Sequence, residues 1–366
     1  MNFLEKTKKK YYEAVKRPVP LIAGLSVTQA CNLRCKLCGA AAGEPAKGEL
    51  TTKEARIVID NLAEAEVMHL SFGGGEPLVR DDILELASYA SGRFRSIGIV
   101  SNGYLIDENL AKKIAAAGVK QMMISIDGLD PVTHDFNRGE GSYDRALTAV
   151  KYLKLAGITV RISFTISMAN YSQLSDIIDK TKKLDSTLHV QEFFPGGRGK
   201  GMENLALTRR NRRDMQRLLF KKQADLGVSS IGFENRYIIS EDKGSQKICT
   251  NADLGSGFYD FCVGCFTGIY SLFVSSTGEL RLCGRYGEGK LGNLKETPLS
   301  HIWQTSKILK DIRNRENLEG RCGKCNYRYI CGGCRKNAYF LKNNILEEDP
   351  LCWRGRLDEE LESSGI

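Results

Sequence analysis

Histidine is scarce in this chain, with His69, His134, His189 and His301 the full set among 366 residues. None adjoins the densest cysteine cluster, which argues against a mixed cysteine–histidine zinc site there. Long apolar runs are also missing, since no stretch approaches the roughly 18 apolar residues of a membrane-spanning helix. The opening segment MNFLEKTKKKYYEAVKRP lacks the apolar centre of a secretory signal. These absences point to a cytoplasmic protein with no membrane partner. There is no internal repeat, no low-complexity tract, and no helix-turn-helix, zinc-finger or RNA-binding signature, so nothing marks the chain as a nucleic-acid binder. The net charge of +9 comes from 53 Lys+Arg against 44 Asp+Glu. Its basic runs, Lys8 to Lys10 and TRRNRRDMQRLLFKK (208–222), read as solvated helix faces.

Cysteine is abundant by contrast: twelve, at positions 31, 35, 38, 249, 262, 265, 283, 322, 325, 331, 334 and 352. In a reducing compartment, clustered thiols of this kind are metal ligands rather than disulfides. Cys31, Cys35 and Cys38 form a C-x3-C-x2-C motif directly after an apolar run. Three thiolates fall one short of the four protein ligands of a closed zinc or iron–sulfur site. A zinc ion completed by a distant histidine is one way to fill the gap.

Short apolar or β-branched runs alternate with helical patterns. Strands are expected at 21–29, 67–74, 96–103, 121–128, 159–167 and 188–195. Helices are expected at 51–66, capped by Thr51 or Thr52 with apolar residues at 55, 58, 59 and 62, and at 142–157. Six β–α units in a row imply an α/β fold with a parallel sheet and right-handed crossovers. Whether the sheet stays open or curls into a partial (β/α)6 TIM-type barrel, ligands bind at the carboxyl ends of its strands. The three cysteines follow the first of those ends. Beyond residue 240 the pattern changes to a hairpin around STGE within 270–283, a helix over LSHIWQTSKILKDIRN, and a cysteine-dense tail from 322 to 352. The expected organisation is a basic N-terminal segment (1–20), a barrel domain (21–235), and a small cysteine-rich domain with a C-terminal helix (236–366). The apolar content of that last domain is thin, so its folding should depend on metal.

C-x3-C-x2-C after the first strand of a (β/α)6 pattern closely resembles the radical S-adenosylmethionine (SAM) superfamily. The resemblance implies that Cys31, Cys35 and Cys38 hold three irons of a [4Fe–4S] cluster, with the fourth iron left to the amino and carboxylate groups of SAM. GGGEP (73–77) matches the family's Gly-Gly-Glu-Pro motif and implies SAM contacts at Gly74, Gly75, Glu76 and Pro77. SNG (101–103) and SIDG (125–128) close the third and fourth strands as in the family. They add Ser101, Asn102, Ser125 and Asp127 as candidate SAM contacts, and Arg138 as a partner for the SAM carboxylate.

The tail resembles the family's SPASM domain, which carries two auxiliary clusters. Cys265 and Cys283 fit C-x12-G-x4-C, and Cys322, Cys325, Cys331 and Cys334 form C-x2-C-x5-C-x2-C ahead of Cys352. By analogy the first auxiliary [4Fe–4S] cluster takes Cys262, Cys265, Cys283 and Cys334, with Cys249 the spare, and the second takes Cys322, Cys325, Cys331 and Cys352. Relatives often have three residues before the fourth cysteine of the run, where this chain has two. Paired C-x2-C is also a zinc-ribbon signature, which is the competing reading of the tail.

What the family implies is reductive cleavage of SAM to a 5′-deoxyadenosyl radical that abstracts hydrogen from a substrate, with no acid–base catalytic residue required. A peptide is the first expectation for the substrate. A porphyrin of an alternative haem or haem d1 pathway is the alternative, because CGGCRKNAY and EEDPLC resemble the tails of both groups. The electron donor would be a flavodoxin or ferredoxin. Only about 20 residues precede the first strand, so a peptide substrate is expected to need a separate leader-recognition protein. A non-enzymatic iron–sulfur electron carrier is the reading of another class.

Overall fold

The computed structural model describes residues 3–16, 19–226, 231–233, 264–265, 267–284 and 290–354. Cys249 and Cys262, and with Cys262 one expected ligand of the first auxiliary cluster, lie outside the described residues. The chain forms two compact units, one from 18–206 with 270–307, the other from 1–17, 207–269 and 308–366.

In chain order the elements are α1 (Phe3–Val15), β1 (Ile22–Thr28), α2 (Thr52–Glu64), β2 (His69–Gly74), α3 (Ile83–Ser91), β3 (Ser96–Ser101) and α4 (Glu108–Ala116). Then come β4 (Gln121–Ser125), α5 (Pro131–Arg138), α6 (Ser142–Leu155), β5 (Thr159–Ile166), α7 (Leu174–Lys183), β6 (Thr187–Glu192) and α8 (Arg209–Leu226). After β7 (Ile231–Phe233) follow β8 (Ser271–Val274), β9 (Glu279–Arg281), β10 (Lys290–Asn293), α9 (Leu299–Thr305), α10 (Lys307–Arg313), α11 (Gly320–Lys324) and α12 (Arg335–Lys342).

The larger unit is built on a sheet whose strands run β10-β9-β8-β1-β2-β3-β4-β5-β6. All pairings from β8 through β6 are parallel, and β8–β9 and β9–β10 are antiparallel. All six strands expected from the apolar runs are present, joined by helices that cover the sheet. Leu25, Phe72, Ile99, Ile124 and Phe164 are almost wholly shielded from water, as parallel strands covered by helices require. Each such side chain contributes roughly 1.5–3 kcal/mol by burial. Helix starts follow local chemistry. Thr51 and Glu54 form a reciprocal capping box on α2, Asp107 caps α4, and Asp130 with Pro131 opens α5.

The units do not follow a linear boundary near residue 235. The hairpin expected within 270–283 is present as β8 and β9, and β8 lies in parallel register beside β1, Ile22 opposite Ser271 and Leu25 opposite Val274. Gly24 makes room for this pairing, because a Cβ there would sit 2.6 Å from the Phe273 ring. The helix expected over LSHIWQTSKILKDIRN is broken into α9 and α10 at Ser306, whose backbone is extended. In the second unit the basic N-terminal segment forms α1. Its Tyr11 is fully buried and donates to the Arg313 carbonyl at 3.0 Å. Trp353 donates to Gln216 of α8 at 2.9 Å.

Candidate functional site

Chain entering the cysteine loop is held before the first thiol is reached. At the end of β1 the Glu49 carboxylate accepts from Thr28 Oγ1 and from the Gln29 and Ala46 N–H groups. Burial pushes its pKa up, but these donors outweigh burial and hold it below the ordinary range. Cys31 N–H bonds the Gly43 carbonyl at 2.9 Å, closing the loop on itself. Arg198, beyond β6, donates from Nε to the Cys35 carbonyl (2.8 Å), from Nη1 to the Ala42 carbonyl (2.6 Å), and from its backbone N–H to the Cys38 carbonyl (3.1 Å). Gly197 lets that segment approach, since its φ is +58° and a Cβ would meet the Cys38 oxygen at 2.5 Å. Cys31, Cys35 and Cys38 are all half-buried and free of disulfides.

Glycines bring the end of β2 against the same loop. Gly75 N–H bonds Thr28 O at 2.7 Å and Glu76 N–H bonds Ala30 O at 2.8 Å. Gly74 adopts φ +125°, where a Cβ would stand 2.3 Å from Thr28 O. The Glu76 side chain is buried and turned toward β3, accepting from Ser101 Oγ (2.9 Å), Asn102 N–H (2.7 Å) and Leu78 N–H (3.2 Å). Burial dominates its titration and pushes its pKa up to about 7. Asn102 in turn donates to Asn32 at 2.8 Å and reaches to 4.0 Å from Cys31 Sγ. The structure thus gathers Gly74, Gly75, Glu76, Ser101 and Asn102 beside the cysteine loop.

Ser125, the last residue of β4, is buried, and Asp127 beyond it lies deep in the protein. Asp127 accepts from Thr165 N–H (2.8 Å), Asn137 Nδ2 (2.7 Å) and Arg138 Nε (2.7 Å). Burial opposes its ionisation, yet Arg138 and the backbone donor prevail, and its pKa lies below the usual carboxylate range. Asp127 and Arg138, expected as SAM contacts, are therefore engaged with each other. Burial raises the Cys35 thiol pKa, and Arg138 and Arg198 pull it back toward the thiolate. The buried His134 is held neutral, its pKa lowered to about 4, and its Nδ1 accepts from Asp127 N–H. Asn137, Arg198, Gly197 and Glu49 act on the loop from distant stretches of sequence, and no motif spacing marks them.

In the second unit Gly332 and Gly333 have φ of +69° and +66°. A Cβ on Gly333 would come within 2.9 Å of Cys322 Sγ, and one on Gly332 would meet the Arg315 guanidinium at 2.1 Å, so both positions of CGGC exclude a side chain. Backbone N–H groups point at sulfur: Gly333 to Cys331 (3.2 Å), Tyr327 to Cys325 (3.4 Å) and Asp349 to Cys322 (3.4 Å). Burial, followed by Cys352, Cys322 and Cys325, drives the Cys331 thiol pKa well up. Cys352 is pushed to about 11 by burial and feels Cys322 and Cys325. Cys334 is raised by burial, and Cys265 is among the charges that add to it. Its N–H is held by Asp349 at 2.9 Å. Cys283 follows β9 in the sheet unit.

Thiols so disfavoured as free anions suit iron, which stabilises the thiolate. Among the described residues no three His, Cys, Asp or Glu groups converge on a single ion position. A cubane makes no such demand, because each thiolate binds a different iron. The residues present fit iron–sulfur clusters at both sites. Among the described residues no helix is long and apolar enough to cross a membrane.

Residues 25–180 match the Radical SAM superfamily, and residues 265–326 match the SPASM iron–sulfur cluster-binding domain. The chain is 31% identical over 340 residues to an AdoMet-dependent heme synthase of Nitratidesulfovibrio vulgaris, covering 92% of each chain. It is 28% identical over 353 residues to the mycofactocin maturase MftC of Mycobacterium tuberculosis, covering 93% of this chain and 85% of that one. Its fold is similar to that of Streptococcus suis SuiB bound to the precursor peptide SuiA, with a TM-score of 0.72, 18% identity, and coverage of 95% of this chain and 79% of that one. Relatives named for haem synthesis and for peptide maturation, the two classes expected from the tail, are thus both present.

Proposed function

We propose a reaction from a family premise: the chain belongs to the radical SAM superfamily and carries a SPASM iron–sulfur domain, and it is an enzyme that cleaves SAM reductively to abstract hydrogen from a substrate. Bound to Cys31, Cys35 and Cys38, a reduced [4Fe–4S] cluster would supply the electron for SAM cleavage, and auxiliary clusters on the tail cysteines would supply electron exchange with the substrate. Protein side chains supply placement. We assign Cys31, Cys35 and Cys38 to the SAM cluster and the backbone of Gly74 to Pro77 to the floor of the SAM site. An ammonium group beside Glu76 would draw it into the carboxylate form, the charge that an ammonium prefers. Ser101, Asn102 and Ser125 line the neighbouring strand ends, and Asp127 holds the Arg138 guanidinium at a fixed position through its Nε, as a partner for the SAM carboxylate. A pure electron carrier has no use for the Gly74–Pro77 cradle.

For the substrate we propose a tetrapyrrole, on the strength of 31% identity extending over 92% of both this chain and the heme synthase. A peptide is the second reading, favoured by 28% identity to the mycofactocin maturase over 93% of this chain. A flavodoxin or ferredoxin as donor, a cytoplasmic location, and a leader-recognition protein for the peptide case complete the proposal. The test is anaerobic turnover with SAM and dithionite, offering a carboxylate-bearing porphyrin or a candidate precursor peptide and following 5′-deoxyadenosine and product mass. A mass change in the porphyrin alone supports the first reading, and one in the peptide alone replaces it with the second. Absence of 5′-deoxyadenosine from iron-replete protein refutes the reaction itself.

A further inference from the structure

The three-cysteine loop is braced at its centre by one amide side chain from α5. Asn137 is 7% exposed and lies in the last turn of that helix. Its backbone carbonyl is one of the terminal carbonyls that a helix leaves without an internal donor, and it accepts from Lys36 N–H at 2.8 Å. Its Oδ1 accepts from the next N–H, that of Leu37, at 2.9 Å. Its Nδ2 donates to Asp127 Oδ2 at 2.7 Å. One residue therefore satisfies two consecutive N–H groups between Cys35 and Cys38 while being anchored from behind.

The anchor decides which way the amide points. A carboxylate only accepts, so Nδ2 must face Asp127 and Oδ1 must face Leu37. Asp127 cannot turn away, because Thr165 N–H holds its other oxygen at 2.8 Å and Arg138 Nε shares the first at 2.7 Å. The chain of bonds runs from β5 through Asp127 and Asn137 to the two residues separating the second and third thiols.

We infer that Asn137, oriented by Asp127, is a positioning residue that fixes the backbone between Cys35 and Cys38 and thereby the geometry of the cluster these cysteines hold. The inference rests on the reading of Cys31, Cys35 and Cys38 as cluster ligands. Alanine at 137 strands the Leu37 N–H. Aspartate at 137 keeps the size and the acceptor but sets a second carboxylate against Asp127.

The experiment uses the full chain, reconstituted anaerobically, as wild type, Asn137→Ala, Asn137→Asp, Asn137→Ser, and Cys31→Ala/Cys35→Ala/Cys38→Ala. The readouts are iron per chain, the electron paramagnetic resonance signal of reduced protein that shifts on adding SAM, and the rate at which air destroys that signal. Outer-shell partners typically change metal retention about 10- to 100-fold. Asn137→Ala and Asn137→Asp should therefore lose the SAM-responsive signal, or lose it in air about tenfold faster, with the auxiliary signals as in wild type. Asn137→Ser keeps a polar atom at the position but is too short to span from Leu37 N–H to Asp127, and it should lose the signal as the alanine variant does. A role limited to general stability would not single out one cluster. Wild-type iron, signal and air stability in both Asn137→Ala and Asn137→Asp would overturn the inference. If neither Asn137→Ala nor Asn137→Asp folds, Asn137→Ser decides: folded protein without the SAM-responsive signal supports the inference, folded protein with the wild-type signal overturns it, and failure of all three to fold assigns Asn137 to general stability and overturns it. A SAM-responsive signal surviving in the triple cysteine variant overturns the ligand assignment as well. A silent triple variant beside wild-type-like Asn137 variants overturns the inference alone.

Discussion

Gly75 lies so close to Ala30 that a Cβ on it would stand 2.1 Å from the Ala30 carbonyl oxygen. The obstacle is backbone, flanked by the Gln29 oxygen at 2.7 Å, so no side chain can rotate away to relieve it. The second strand end and the lead-in to the cysteine loop share one backbone contact, and the glycine exists to permit it.

Gly75→Ala should accordingly push that contact apart, at a strain of about 1–3 kcal/mol. SAM affinity, measured by equilibrium dialysis on iron-loaded protein, should fall about tenfold or more, an effect worth about 1.4 kcal/mol. Gly73→Ala is the control, because nothing lies within 4 Å of a Cβ at that position. Equal affinities for the two variants would refute the role of close approach.

Replacing Cys31, Cys35 and Cys38 with alanine should abolish 5′-deoxyadenosine release and remove about four irons per chain, leaving the auxiliary clusters in place. The thiols expected to hold the auxiliary clusters share no residue with this set. Iron analysis beside a SAM-cleavage assay checks it, and undiminished cleavage would sink the ligand assignment.

Much of this site could be read in the sequence because its chemistry is local. C-x3-C-x2-C, GGGEP and the strand-end motifs SNG and SIDG carry their meaning within a few residues, and each of the six expected parallel strands announces itself as a short apolar run. The Thr51–Glu54 capping box is equally local. What escaped depends on pairings far apart in the chain. β8 sits beside β1 in parallel although some 240 residues separate them. Gly24 and Phe273 are ordinary residues until they are placed face to face. Asn137 and Arg198 reach the cysteine loop from the far side of several strands. Asp127 was legible as a strand-end polar residue. Its partners at 137 and 165 were not, and Arg138 was read as a partner for the SAM carboxylate rather than for Asp127.

The buried Glu76 gives a signed pH dependence. Its folded pKa, about 7, lies above its ordinary value of 4.5, so the folded state binds this proton more tightly than the unfolded state does. The resulting stabilisation is complete below pH 4.5 and is lost as pH rises through about 7, with an upper bound of about 3 kcal/mol. Urea unfolding of SAM-free protein should therefore show stability falling between pH 5 and pH 8. Glu76→Gln, which cannot titrate, should flatten that part of the profile. An unchanged slope in the variant would assign the pH dependence to other groups.

Gly333 offers a way to disturb the tail without removing a thiol. Its φ of +66° is costly for any residue with a Cβ. That Cβ would also press on Cys322 Sγ at 2.9 Å, Arg335 Nη2 at 2.6 Å and the Asp349 Cβ at 3.0 Å. The arginine end can swing aside, but the sulfur and Asp349 are held, since Asp349 bonds the Cys334 and Leu351 N–H groups. Gly333→Ala should therefore distort the Cys322, Cys325, Cys331 and Cys352 group while leaving residues 25–180, the radical SAM portion, untouched. The expected result is a larger loss of substrate turnover than of 5′-deoxyadenosine release, so the ratio of 5′-deoxyadenosine to product rises. Cys331→Ala and Cys352→Ala should shift that ratio the same way, with a loss of auxiliary-cluster iron. The measurement is made on soluble protein whose SAM-responsive signal matches wild type, with the substrate that Proposed function's assay selects. Parallel loss of both yields would mean that these clusters serve the fold and take no part in electron exchange with the substrate.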